Sequence, residues 1–88
     1  MKIKIGSLFY VKGYFREGLD VWVIAEITRK EDELFHWKPI KYHKDFKLIY
    51  GLGDTYNWYE STFKKNGAIF LKKKDIDNID EFLFRELI

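Results

Sequence analysis

Cysteine is absent from this chain, which excludes disulfide scaffolds, zinc ribbons and thiol catalysis. The same absence fits a reducing compartment, and a cytoplasmic location is expected. No apolar run approaches the roughly 20 residues of a membrane span, so no membrane partner is expected. The segment Met1-Lys2-Ile3-Lys4-Ile5-Gly6 lacks the apolar region of a signal peptide. Serine occurs only at Ser7 and Ser61, and histidine only at His36 and His43. G-x-S-x-G, H-E-x-x-H and phosphate-cradling glycine motifs are all missing, so neither an enzyme nor a cofactor is expected. His36, His43 and Asp45 come nearest to a metal set. They lack the fixed spacing of metal ligands and read as polar residues around a hairpin.

Aromatic residues, by contrast, are plentiful at 19% of 88 residues. A chain of this length forms a single domain (1–88) that buries roughly 60–65% of the surface its unfolded form exposes. Phe, Tyr and Trp remove large areas from water, so a small core rich in them needs no disulfide or metal. The net charge of +2 is unevenly spread: residues 1–74 carry +6 and residues 75–88 carry −4. A basic body with an acidic end attracts polyanions mildly, without the dense basic stripe of a dedicated DNA binder. Thirteen of the 16 basic residues are lysine, and isoleucine is abundant, as AT-rich genomes produce. A phage- or mobile-element-encoded accessory factor or inhibitor of a host protein suits that composition.

The hydrophobic pattern is mainly that of strands. Residues 2–12 alternate and then break at Gly6, which suits a bulge. Gly13 to Gly18 forms a loop. Over 20–29, Val21, Val23, Ala25 and Ile27 share one face, opposite Trp22, Ile24, Glu26 and Thr28. That second face is half apolar, so another element must cover part of it. Lys30 to Glu33 is a charged turn, and a strand resumes over Leu34–Tyr42. Pro39, which cannot donate a ladder hydrogen bond, marks an edge or a break there. Phe46–Tyr50 reads as a further short strand, and Gly51 to Asp54 as a turn. Tyr56–Tyr59 fits a strand or one helical turn. Asn66-Gly67 predicts a type I′ hairpin pairing Lys65 with Ala68, Lys64 with Ile69, Phe63 with Phe70 and Thr62 with Leu71. A helix over 77–88 follows, capped by Asp77 or Asn78, with Ile79, Phe82, Leu83 and Leu87 on its buried face.

The β-rich body is therefore 1–74 and the helix 77–88. The expected class is mainly β (α+β), a small curved antiparallel sheet or barrel of five to six strands with one C-terminal helix. The run Lys4 to Val11, followed by Val21 to Ile27, resembles the first two strands of an SH3-like small barrel. Asn57 to Phe63 is similar to the aromatic turn and late strand of such barrels. The resemblance spans about residues 3–71 and implies a fold without assigning functional residues.

Two binding functions fit these residues. Three Trp and six Tyr exceed what so small a core encloses, and surplus aromatics on a surface are typical interface anchors. Another protein is the expected partner, met by Trp58, Tyr59 and Tyr56 near the glycine turn and by Tyr14 and Phe15 in the first loop. Phe84 and Ile88 widen the helix face and would either complete packing on the sheet or meet a second subunit. Single-stranded nucleic acid is the alternative. Lys38, Lys41, Lys44 and Lys47 interleave with Trp37, Tyr42 and Phe46, while Lys64, Lys65, Lys72, Lys73 and Lys74 flank Asn66-Gly67. Cations beside aromatic platforms hold single strands. A spacing of three does not keep lysines on one face of a strand, so a solubilised surface gives the same pattern.

Overall fold

The structure, a computed structural model, describes residues 3–13 and 21–87. In chain order the elements are β1 (Leu8–Lys12), β2 (Trp22–Glu31), β3 (Leu34–Tyr42), α1 (Phe46–Tyr50), β4 (Tyr56–Tyr59), α2 (Glu60–Lys65), β5 (Ile69–Phe70), α3 (Lys73–Asp77) and α4 (Ile79–Leu87). All strand pairs are antiparallel, and the five strands form one curved, unclosed sheet in the order β4-β3-β2-β1-β5. No helix among the described residues is long and apolar enough to cross a membrane.

The alternation of β2 sets the layers. Val21, Val23, Ala25 and Ile27 bury on the inner face, together with Phe9, Val11, Phe35, Trp37, Phe46 and Phe63. The opposite face is covered where the sequence required it. Ile24 and Tyr10 pack there beneath Phe82 and Leu83 of α4, with Trp22, Leu71 and Ile79 at the margin. One strand thus feeds two cores, and every second residue serves the same one.

Local irregularities sit where the sequence broke its pattern. Gly6 adopts φ +92°, and its N–H donates to the Ile27 carbonyl, so the ladder continues around the turn. In β3, Ala25 faces Pro39 while Ile24 faces Lys41, which leaves Ile40 as an extra residue. β4 reaches only as far as Trp37, so Pro39 lies on a stretch of β3 whose outer side has no neighbouring strand among the described residues. A residue without an N–H is tolerated in such a place.

Two expectations from sequence are overturned. Phe46–Tyr50 is the helix α1, not a strand. The i, i+4 spacing brings Phe46 and Tyr50 together, stacked at 4.4 Å, and sends Leu48 outward. Asn66-Gly67 is not a hairpin turn, since residues 60–65 are the helix α2. Gly67, at φ +69°, ends it: Ala68 N–H donates to Phe63 O and Gly67 N–H to Lys64 O, the paired bonds of a Schellman cap. The Phe63–Phe70 contact survives across the cap, with ring centroids 5.8 Å apart. The helix expected over 77–88 is present as α4 (Ile79–Leu87), and a further short helix, α3, precedes it at the end of the segment read as β-rich. Asp75 holds the first turn of α3, where its carboxylate accepts from Lys72 N–H at 3.1 Å. It also accepts from Arg85 of α4 at 3.1 Å. Ile79, Phe82 and Leu83 face the sheet, but Leu87 is 39% exposed and Phe84 turns to solvent.

Two stability predictions follow from these packings. Phe82→Ala should cost about 3–5 kcal/mol, whereas Glu81→Ala should stay within about 0.5 kcal/mol, as read by urea denaturation. Equal, small losses would show that α4 is undocked. Gly67→Ala should cost about 1–2 kcal/mol, because a Cβ is disfavoured in the left-handed region. Asn66→Ala should be neutral or stabilising, since Asn66 sits at φ −89° and its buried amide has no hydrogen-bond partner among the described residues. A large loss at Asn66 would restore the hairpin reading.

Candidate partner-binding surface

β4 carries three of the five residues first considered as anchors. It pairs with β3 through Leu34–Tyr59, Phe35–Trp58, His36–Asn57 and Trp37–Tyr56. Alternation sends Tyr56 and Trp58 inward and Tyr59 outward. Trp58 is half-buried, with its ring 5.1 Å from Trp37, 5.2 Å from Phe63 and 5.9 Å from Phe9. Tyr56 stacks on Trp37 at 4.8 Å. Its hydroxyl donates to the Gly51 carbonyl at 2.6 Å, with the Gly53 carbonyl 2.9 Å away. These two residues fasten β4 to the core. Tyr59, at 57% exposure, is the member left to the surface. Tyr14 and Phe15 lie outside the described residues.

The residues of the nucleic-acid alternative do not gather into one site. Trp37 is fully enclosed and offers no ring face to a base. Lys47 points across the rings of Tyr42, Phe46 and Tyr56 at 5.6–5.9 Å and donates to the Gly53 carbonyl. It is a brace for the loop after α1. Lys38 lies 3.9 Å from Glu26, Lys73 lies 3.8 Å from Asp77, and Lys41 pairs with Asp80. Lys44, Lys64, Lys65, Lys72 and Lys74 are exposed and form no ion pair among the described residues. Tyr42 is 41% exposed, yet it leans on buried Phe46 at 5.0 Å.

His36 stands within β3, whereas His43 lies just beyond its end. His36 lies opposite Arg29 and Asn57, 3.7 Å from Glu31. His43 accepts from Asp45 N–H at 3.0 Å as part of the turn into α1. Among the described residues, no three acidic or imidazole side chains come together as a metal site.

Several exposed groups escaped the sequence reading. Leu48 and Leu52 are 81% and 86% exposed on α1 and the loop after it. Phe84, which the sequence placed either on the sheet or against a second subunit, does not pack on the sheet and is 68% exposed on α4. A groove of about 570 Å³ opens between α2 and β5, lined by Ile3, Glu60, Ser61, Phe63, Lys64, Ala68 and Phe70. A helical reading of 60–65 was available from Glu60 in its first turn, Lys64 and Lys65 in its last and glycine beyond, and would have exposed this groove. Comparison with protein-family models, curated proteins and solved structures finds no match.

The Tyr56 hydroxyl is the test of how firmly β4 is held. Tyr56→Phe should cost about 1 kcal/mol and speed amide exchange at residues 51–54. Unchanged exchange there would show that the hydroxyl does not fix the loop.

Proposed function

We propose that the domain is a non-enzymatic protein-interaction module built on an open barrel of the SH3-like kind. The barrel reading is supported by the strand order, with β1 between β2 and β5 and the short helix α2 between β4 and β5. The observation that carries the binding reading is the contrast within β4. Tyr56 and Trp58 are pinned by the core, while Tyr59 stands 57% exposed at the sheet edge opposite Leu34. A rigid strand presenting an aromatic ring loses little conformational entropy on binding, which favours such a residue as an interface anchor. Tyr59 therefore takes the leading role, and Trp58 and Tyr56 position it. Single-strand binding is the lesser reading, because burial of Trp37 removes its main stacking platform.

The test is capture of partners from cells of the source organism, with and without nuclease. A stoichiometric protein that survives nuclease is expected. Tyr59→Ala should weaken its capture by roughly thirtyfold or more while leaving the melting temperature unchanged. Capture that disappears with nuclease, or that ignores Tyr59, would overturn the proposal.

A further inference from the structure

The sheet does not close at β5, and no described strand pairs with the outward edge of that strand. Leu71 N–H donates to Leu8 O at 2.9 Å, so Leu71 and Leu8 form a hydrogen-bonded pair. Hydrogen-bonded and non-hydrogen-bonded pairs alternate along an antiparallel ladder. Phe70, opposite Phe9, is then non-bonded, and its N–H and C=O point away from β1. No described strand lies on that side, because β5 ends the sheet. The groove of about 570 Å³ lies there, walled by Phe63, Ala68 and Phe70. Ala68, just before β5, is held by the cap of α2, its N–H donating to Phe63 O.

In the chain segments that line this groove, lysines outnumber carboxylates. Lys64 lines it, Lys65 and Lys72 bracket the segment that contains β5, and Lys4 adjoins Ile3 on its wall. None of the four lysines forms an ion pair among the described residues. Glu60 is the one carboxylate on the lining.

The geometry points to this groove as a strand-addition site for an extended segment of a partner protein that alternates apolar and acidic residues. This inference rests on the protein-binding reading and deepens it, because Glu60 and Ser61 on the groove directly follow Tyr59. An added strand supplies both the acceptor and the donor that Phe70 requires, and every second side chain enters the groove. Its other side chains meet the lysines. A nucleic acid satisfies the lysines but not the paired backbone groups, and Phe63, only 2% exposed, gives a base no ring to stack on.

The probe is a blocked peptide of alternating glutamate with valine or isoleucine, titrated into isotope-labelled protein. Its lysine-for-glutamate counterpart, a proline-interrupted version and an oligothymidylate serve as comparisons. The acidic peptide should shift the amides of Ala68 and Phe70 and slow hydrogen exchange at Phe70. The lysine and proline versions should bind about tenfold more weakly. The paired change Lys64→Glu with Lys72→Glu should weaken the acidic peptide about tenfold, with the melting temperature unchanged. The proposal is overturned if Phe70 does not respond at millimolar peptide, if the lysine peptide binds equally, or if the oligothymidylate shifts these amides more strongly. Should the peptide fail while Tyr59-dependent capture persists, the groove assignment falls and the interaction module stands. Loss of both removes the parent reading as well.

Discussion

The indole of Trp37 is fully enclosed, with the rings of Phe9, Tyr50, Tyr56 and Trp58 all within 6.1 Å. Those four side chains come from β1, α1 and β4, so one residue of β3 collects most of the inner layer. Phe63 of α2 joins through Phe9 and Trp58. Edge-to-face packing of this kind adds about 0.5–1.5 kcal/mol per pair beyond the area removed from water. The short elements α1, β4 and α2 are too small to persist alone. They hold their shapes because each delivers a ring to this cluster. The sheet can stay open for the same reason: its inner face is covered by rings from α1 and α2.

The outer layer rests on less. Phe82 and Leu83 bury against Tyr10 and Ile24, and polar ties surround them. Lys41 meets Asp80, Arg85 meets Asp75, and Lys12 donates to the Glu86 carbonyl. The exposed Lys41–Asp80 pair contributes about 0–1 kcal/mol, and Asp75 is the buried partner of Arg85 within the α3–α4 pair, so apolar contact dominates the docking of α4 on the sheet. The uneven charge along the chain nonetheless has a visible role, since the acidic end lies against lysines of β1 and β3.

How far the fold was legible follows from how each segment is stabilised. β2 was plain because both of its faces are used and its period holds as far as Ile27, before the register shift at Thr28. α4 was plain in its first two turns, where Ile79, Phe82 and Leu83 keep helical spacing. Residues 46–50 were not, because Phe-Lys-Leu-Ile-Tyr satisfies a strand by its alternation and a helix by its i, i+4 rings. Only Trp37 and Tyr56, distant in sequence, decide between them. Asn66-Gly67 misled because positive φ at glycine serves a helix cap as well as a hairpin. The surface was harder still. Aromatic surplus indicated that some rings must be exposed, and alternation within β4 picks out Tyr59 over Trp58. The groove beside β5 depends on a helix that local pattern alone did not reveal.

The pairing of β1 with β5 also orders the assembly of the chain in time. Phe9 waits for Phe70 and Tyr10 for Phe82, contacts that span most of the sequence. During synthesis, β1, β2 and β3 can form a meander early, but Tyr10 and Ile24 remain wet until residues 82 and 83 have emerged from the ribosome. Loop closure over such distances slows folding and prolongs exposure of sticky surface. A nascent or truncated chain lacking α4 therefore presents an uncovered apolar sheet face, and α4 acts as the stopper that seals it.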